Sequence, residues 1–461
     1  MARFTAIGGG DSIGGSAYLY EDDTASFLID FGAIQGPKSA GISYPRVPQS
    51  ALDFMLLSHD HLDHCGGLPL VMREHRDMPV FATNTARFGA FFQLDDSAKI
   101  AEQNARIAEL SGRTEYPAFT GGEAHDVMHE ITPVRDSGWF EPFPGYKVSY
   151  RSAGHKRGAA IILIVCPDGR RIVHACDFSL HDQALVRGAV VPRDFLNPDL
   201  LVTECTYGAR SLPSRAVEEK RLVDAVKRVL ERGGKVIIPH FASTCQHIAL
   251  PLARAGIASF LDGMARDFWR LYMEAEDHWC EHDIPITEEE QRLIIPVVGN
   301  GKKDWEARED IKASHNPAVV IATGGMLEGG PAVGYVEAFL EDPKNAVIIP
   351  GYQAPESQGR KLIQLQRRDR MTFSRQCIRS DGSGVDVVAS DYYVEAEVIP
   401  MHLSGHSDGD EVARWVAELN PKTVITVHGE PAAHEGLHQR ISRLSGGIGV
   451  VSSKTGESIA W

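Results

Sequence analysis

The chain of 461 residues carries 47 basic and 62 acidic side chains, a formal net charge of −15, with 43% apolar and 24% charged residues. At roughly 100 to 200 residues per domain this predicts two or three compact units and excludes disordered, collagen-like and coiled-coil classes. The longest apolar run, Ala159 to Cys166, falls far short of the roughly 20 residues of a membrane span, no secretory leader is legible, and the seven cysteines contain no C-x-x-C pair, so a cytoplasmic protein with buried thiols is expected.

In chain order, the first 60 residues alternate short β-rich runs with Gly turns: Arg3 to Ile7, Ser16 to Tyr20, Ser26 to Asp30 and Phe54 to Leu57. Their length and punctuation predict a sheet meander. Directly after the last run stands Ser58-His59-Asp60-His61-Leu62-Asp63-His64. Imidazoles and carboxylates packed this densely at a strand end cannot all enter the core without burying several polar groups. The H-x-H-x-D-H spacing instead lets one turn offer two ligands to one metal ion and two to its neighbour. Thr83 to Leu110 has a helical texture, and four more strands follow, at Lys147 to Tyr150, Ile161 to Val165, Arg171 to His174 and Leu200 to Thr203. Single ligand candidates trail three strands: His155, Asp177 and, near the end of the chain, His428. Each alone reads more readily as a cap or loop residue; together with the first loop they complete a two-ion set.

After Tyr207-Gly208 helices and strands alternate, as in α/β wiring. The segments are the helix Val217 to Arg232, the strand Lys235 to Ile238, the helical stretch Met264 to Glu276, the strand Ala318 to Ala322, a helix near Val333 to Leu340 and the strand Ala346 to Ile349. A basic stretch, Arg360 to Arg370, precedes strand runs near Asp386 to Val388 and Glu395 to Ile399, and the strand Thr423 to Val427 sits between helices at Gly409 to Glu418 and Ala432 to Leu444. Two Gly-rich stretches interrupt this pattern, Thr323 to Gly330 and Gly351 to Leu362. Backbone N–H groups exposed at such a strand-to-helix junction can hold an anion, although a Gly pair is more often only a turn. His278-Trp279-Cys280-Glu281-His282 places two His at i and i+4, but no second ligand cluster lies nearby in sequence and a helix end is expected.

These motifs resemble, over nearly the whole chain, the metallo-β-lactamase superfamily and within it the β-CASP ribonucleases, the cleavage-and-polyadenylation-type endonucleases and prokaryotic RNA-processing nucleases. The resemblance implies an α/β fold, a metallo-β-lactamase αββα sandwich with an inserted α/β β-CASP domain: residues 1–207 and 366–461 would form the sandwich and 208–365 the insert. It implies two Zn²⁺ ions, one on His59, His61 and His155, the other on Asp63, His64 and His428, with Asp177 bridging. Glu204 in Thr203-Glu204-Cys205-Thr206-Tyr207-Gly208 and His406 in Leu403-Ser404-Gly405-His406 match two further motifs, and Asp63, Glu204 and His406 are the expected catalytic side chains. Substrate contacts are expected from Gly324, Gly325, Met326, Arg360 and Lys361.

Two Zn²⁺ less two carboxylates and one hydroxide leaves a local positive charge inside an acidic protein, which suits a phosphodiester. A His at position 428 resembles the RNA-acting branch, so the expected partner is single-stranded RNA, with no membrane and room for a homodimer. Alternatives are a small-ester or thioester hydrolase sharing the core loop, a DNA-acting β-CASP nuclease and a non-catalytic scaffold. Endonuclease and 5′-exonuclease action both stay open. Cys245 stands where relatives carry Arg, removing one expected contact, and Cys176 and Cys205 replace the usual Gly or Ser as small packing residues.

Overall fold

The computed structural model describes residues 2–35, 41–274, 283–298 and 304–461. The His278 to His282 pattern lies outside these residues. Two seven-stranded sheets pack face to face. The first runs Ser458–Ala460, Arg3–Gly8, Ala17–Glu21, Ser26–Phe31, Phe54–Leu56, Val80–Thr83, Ile131–Val134; its first three N-terminal strands form an antiparallel meander, whereas Phe54–Leu56, expected to continue it, pairs in parallel with Ser26–Phe31. The second runs Gly449–Ser452, Thr423–Val427, Leu200–Glu204, Arg171–Ala175, Ala160–Val165, Lys147–Ser152, Trp139–Phe140.

Alternation along each strand decides the layers. Phe27 and Ile29 of the first sheet meet Ile172, Leu200, Val202, Ile425 and Val427 of the second in one buried core. The opposite faces are covered by helices. Leu28 and Met55 pack under Leu68–Glu74, Asn84–Leu110 and Gly121–Glu130, whereas Leu201 and Val424 pack under Gly409–Leu419 and Pro431–Leu444. The result is the αββα sandwich expected from the sequence.

A third, six-stranded sheet is wholly parallel, in the order Ile294–Pro296, Ser259–Asp262, Ala318–Thr323, Lys235–His240, Ala346–Ile349, Glu397–Pro400. Its central strands, VIIP in one and VVIA in another, are buried on both faces, as a helix-covered parallel sheet requires. Leu200–Glu204 and Thr423–Val427 are neighbours in the second sheet, yet this whole parallel sheet lies between them in sequence. The α/β layer is therefore an insertion, and because Glu397–Pro400 is one of its strands it runs past residue 365, where the sequence reading ended it. A two-stranded hairpin, Arg370–Ile378 with Val385–Tyr393, rests on it through buried Met371 and Phe373.

Candidate functional site

Strand direction gathers the site. Arg171–Ala175, Leu200–Glu204 and Thr423–Val427 pair in parallel, so their carboxyl ends reach one edge and deliver Asp177, Glu204 and His428 together. Across the sandwich, Ser26–Phe31 and Phe54–Leu56 also run in parallel and end at Asp30 and at the His59–His64 loop. Backbone strain accumulates here, because Asp30, Asp177 and His428 all hold left-handed φ values, 61°, 52° and 53°. Such residues persist only where their surroundings fix them.

The seven expected ligands converge in two groups, His59, His61, His155 and Asp177, and Asp63, His64 and His428, the donor atoms of each group lying within 4.8 Å of one another. His155 Nε2 is 3.1 Å from His61 Nδ1. Asp177 Oδ2 lies 3.4 Å from His59 Nε2, 3.5 Å from His64 Nε2 and 3.8 Å from His155 Nε2, so one carboxylate touches both groups. Asp63 Oδ2 is 3.3 Å from His428 Nε2 and 4.0 Å from His64 Nε2. Among the described residues, His59 Nε2, His61 Nε2 and Asp177 Oδ1 find no hydrogen-bond partner although buried. Buried polar atoms are seldom left so, and nitrogen and carboxylate donors aimed at common points fit divalent metal.

Charge state divides the two groups. Burial, reinforced by the neighbouring imidazoles, pushes His59 and His61 well down, and His155 to about 4, keeping them neutral as metal ligands must be. Burial also opposes charge on His64 and His428, but Asp177 and Asp63 outweigh it and raise both. Asp63 falls to about 2: burial works against this, and His64 and His428 prevail.

Beneath the ligands lies a layer the sequence reading did not single out. Asp30 is fully buried; its Oδ1 accepts from Ser58 N at 2.7 Å, and its Oδ2 from Ser58 Oγ at 2.6 Å and His64 Nδ1 at 2.7 Å. A proton on His64 Nδ1 leaves Nε2 bare for the ion side. The only signal was an acid closing the apolar run Ser26 to Phe31. His155 Nδ1 donates to Gly405 O at 2.8 Å, and Gly405 is required there because a Cβ would sit 2.9 Å from that nitrogen. Asp60, within the His-rich loop, is not among the convergent donors: it is buried in an ion pair with Lys156, which lies over the Phe268 ring. Arg157 next door bonds the Tyr272 carbonyl and Asp283. The residues following His155 thus anchor the sandwich to the parallel-sheet layer.

His406 and Glu204 form a pair beside Asp177. Glu204 Oε2 accepts from His406 Nδ1 at 2.8 Å, and its Oε1 accepts from Phe178 N at 2.7 Å. Burial alone would depress His406, but Glu204, with Asp177 behind it, raises it to about 9. The His406 ring lies 4.7 Å from that of His155.

The two Gly-rich segments meet each other. Gln353 Nε2 donates to Gly325 O at 2.9 Å and Gly359 N to Met326 O at 3.0 Å, framing Gly324, Gly325 and Met326 ahead of the helix Pro331–Phe339. Arg360 and Lys361 ride on the neighbouring helix Gln358–Gln364. Cys245 is a core residue donating to Phe241 O at 3.2 Å. Cys176 and Cys205 are buried too, and burial pushes both thiols well up, so they pack as neutral groups.

Three family models match the chain: the Beta-lactamase superfamily domain over residues 31–226, the Beta-Casp domain over 251–362 and the Zn-dependent metallo-hydrolase RNA specificity domain over 391–452. The chain is 28% identical to the Probable RNase MJ4 of Methanocaldococcus jannaschii over 97% of both chains. It is 30% identical to the Transcription termination factor FttA of Thermococcus kodakarensis over 94% of this chain and 67% of that one. A crystal structure of a protein of unknown function from Enterococcus faecalis V583 superposes with a TM-score of 0.57 over 99% of both chains at 14% identity, which shows likeness of fold alone. Among the described residues no helix is long and apolar enough to cross a membrane.

Proposed function

The chain belongs to the β-CASP ribonuclease family of the metallo-β-lactamase superfamily, a family of metal-dependent hydrolases, and from that premise we propose that it uses two zinc ions to cleave single-stranded RNA to 5′-phosphate and 3′-hydroxyl ends. The observation that carries this reading is the cluster of Asp177, Glu204 and His406, which adds a hydrogen-bonded imidazole–carboxylate pair to the metal-binding donor set. A small-ester hydrolase sharing only the His-rich loop has no use for that pair. Near-complete reciprocal coverage of a relative named as a probable RNase favours RNA as substrate.

His59, His61 and His155 would hold one ion, Asp63, His64 and His428 the other, with Asp177 between them. When bound, the metal supplies Lewis acidity toward the phosphoryl oxygens and lowers the pKa of water toward neutrality. The chain's own residues do the rest. Asp30 and Gly405 hold the ligating rings in one tautomer through His64 Nδ1 and His155 Nδ1. Glu204 holds His406 by Nδ1, which leaves the other ring nitrogen, Nε2, to give a proton to the departing 3′ oxygen. Gly324, Gly325 and Met326, with Arg360 and Lys361, would line the path of the strand, and the parallel-sheet layer closing on the metal face would admit single strands in preference to a duplex.

Digestion of 5′- and 3′-labelled RNA beside matched DNA, a duplex and a thioester tests the reading. RNA fragments with 5′-phosphate ends, abolished by chelator, are expected. Thioester hydrolysis without RNA cleavage, or equal cleavage of duplex and single strand, would overturn it.

A further inference from the structure

We propose that Thr206 is a positioning residue that ties the proton donor to a metal ligand, its hydroxyl giving its proton to Glu204 while receiving one from His428. The inference rests on the reading of the two clusters given above. Parallel pairing sets Glu204 beside Val427, and Cys205 N donates to Val427 O at 2.9 Å, which brings Thr206, one residue further on, alongside His428. Thr206 Oγ1 is 2.5 Å from Glu204 Oε2, 3.1 Å from His428 Nδ1 and 3.2 Å from His428 O.

A threonine hydroxyl has one proton and two lone pairs. The ionised carboxylate at 2.5 Å is the stronger acceptor and takes that proton in preference to the carbonyl at 3.2 Å. The lone pairs then face His428 Nδ1, which must carry a proton to make a favourable contact. Asp177 Oδ1 is 3.3 Å from the same nitrogen, but Asp177 is itself a candidate ligand, and an oxygen engaged by a cation is a poorer acceptor. Thr206 is the acceptor at His428 Nδ1 that does not compete with metal. A neutral imidazole protonated at Nδ1 is bare at Nε2, the nitrogen 3.3 Å from Asp63 Oδ2. One oxygen therefore selects the His428 tautomer suited to the ion. The same oxygen fixes Glu204 Oε2, which already accepts from His406 Nδ1 at 2.8 Å.

The test compares full-length wild type with Thr206→Val, of nearly equal shape, and Thr206→Ser, which keeps the hydroxyl, by Zn²⁺ titration against a chromogenic chelator. Wild type should bind two ions. Thr206→Val should hold one ion unchanged and lose about 10- to 100-fold in affinity for the other, and Thr206→Ser should stay within about threefold of wild type. Equal binding by wild type and Thr206→Val, or equal loss in both variants, overturns the inference and leaves the functional reading standing. A wild type that binds no Zn²⁺ sinks both. Should Thr206→Val not fold, ¹⁵N-histidine spectra of the Zn²⁺-loaded wild type decide: a proton on His428 Nδ1 with the ion on Nε2 supports the inference, and an Nδ1 without a proton refutes it.

Discussion

Replacing Asp30 by Asn changes one atom's chemistry and almost nothing in shape. Oδ2 receives two donors, Ser58 Oγ at 2.6 Å and His64 Nδ1 at 2.7 Å, and Oδ1 receives Ser58 N at 2.7 Å. An amide offers only one acceptor oxygen. If its NH₂ takes the Oδ1 place, it opposes the buried Ser58 N–H, donor against donor, at about 1–3 kcal/mol. If it takes the Oδ2 place, His64 Nδ1 can no longer be the protonated nitrogen, and the proton moves to Nε2, on the ion side. The second arrangement keeps more of the buried hydrogen bonds, because Ser58 Oγ can rotate to accept from the NH₂. Asp30→Asn should therefore lose no more than about 1–3 kcal/mol of stability by urea unfolding, yet lose about 10- to 100-fold in affinity for one Zn²⁺, roughly 1.4–2.8 kcal/mol. Calorimetric Zn²⁺ titration at pH 7 beside the unfolding curve measures both. Unchanged Zn²⁺ affinity would refute the assignment of Asp30 as the residue that orients His64.

His406→Ala should lower RNA cleavage by about 10²- to 10⁴-fold while retaining metal, whereas His59→Ala should lose metal; metal analysis of both proteins checks this, and loss of zinc as complete in His406→Ala as in His59→Ala would make His406 a ligand instead of an acid. In the buried Asp60–Lys156 pair, Lys156→Met alone should destabilise by about 3–5 kcal/mol because it strands a carboxylate, and adding Asp60→Asn should recover much of that loss in denaturant unfolding. The pH dependence follows from His406, raised to about 9 chiefly by Glu204 against burial. A folded value above the ordinary one of about 6.5 means its contribution is full below that pH and is lost as pH climbs through about 9. Metal-free wild type should thus lose more stability than His406→Gln between pH 6.5 and 9.5 in thermal scans, and parallel curves would contradict the pairing.

The His-rich loop was legible because so many ligand side chains at one strand end have no core role, and the trailing His155, Asp177 and His428 were legible because each follows a strand. What escaped was whatever depends on contacts between segments distant in sequence. Asp30 is a lone acid on an apolar strand, and only the parallel neighbour Phe54–Leu56 brings Ser58 and His64 onto it. Asp60 fills the first x of the H-x-H-x-D-H pattern, and nothing local pointed to its buried pair with Lys156, far away in sequence. The strand Arg370–Ile378, which begins where the basic stretch ends, was missed because only Met371 and Phe373 of its inward face are buried. Thr206 stood inside the Glu204 motif without a role of its own, because its contact with His428 is set by the register of Leu200–Glu204 on Thr423–Val427.

Anomalous diffraction at the zinc edge from crystals grown with Zn²⁺ tests the central claim most directly. The account predicts two peaks roughly 3.5–4 Å apart, one among His59, His61 and His155 and one among Asp63, His64 and His428, with Asp177 touching both. No peak in this cluster, or a single peak held at Glu204 and His406, would contradict it.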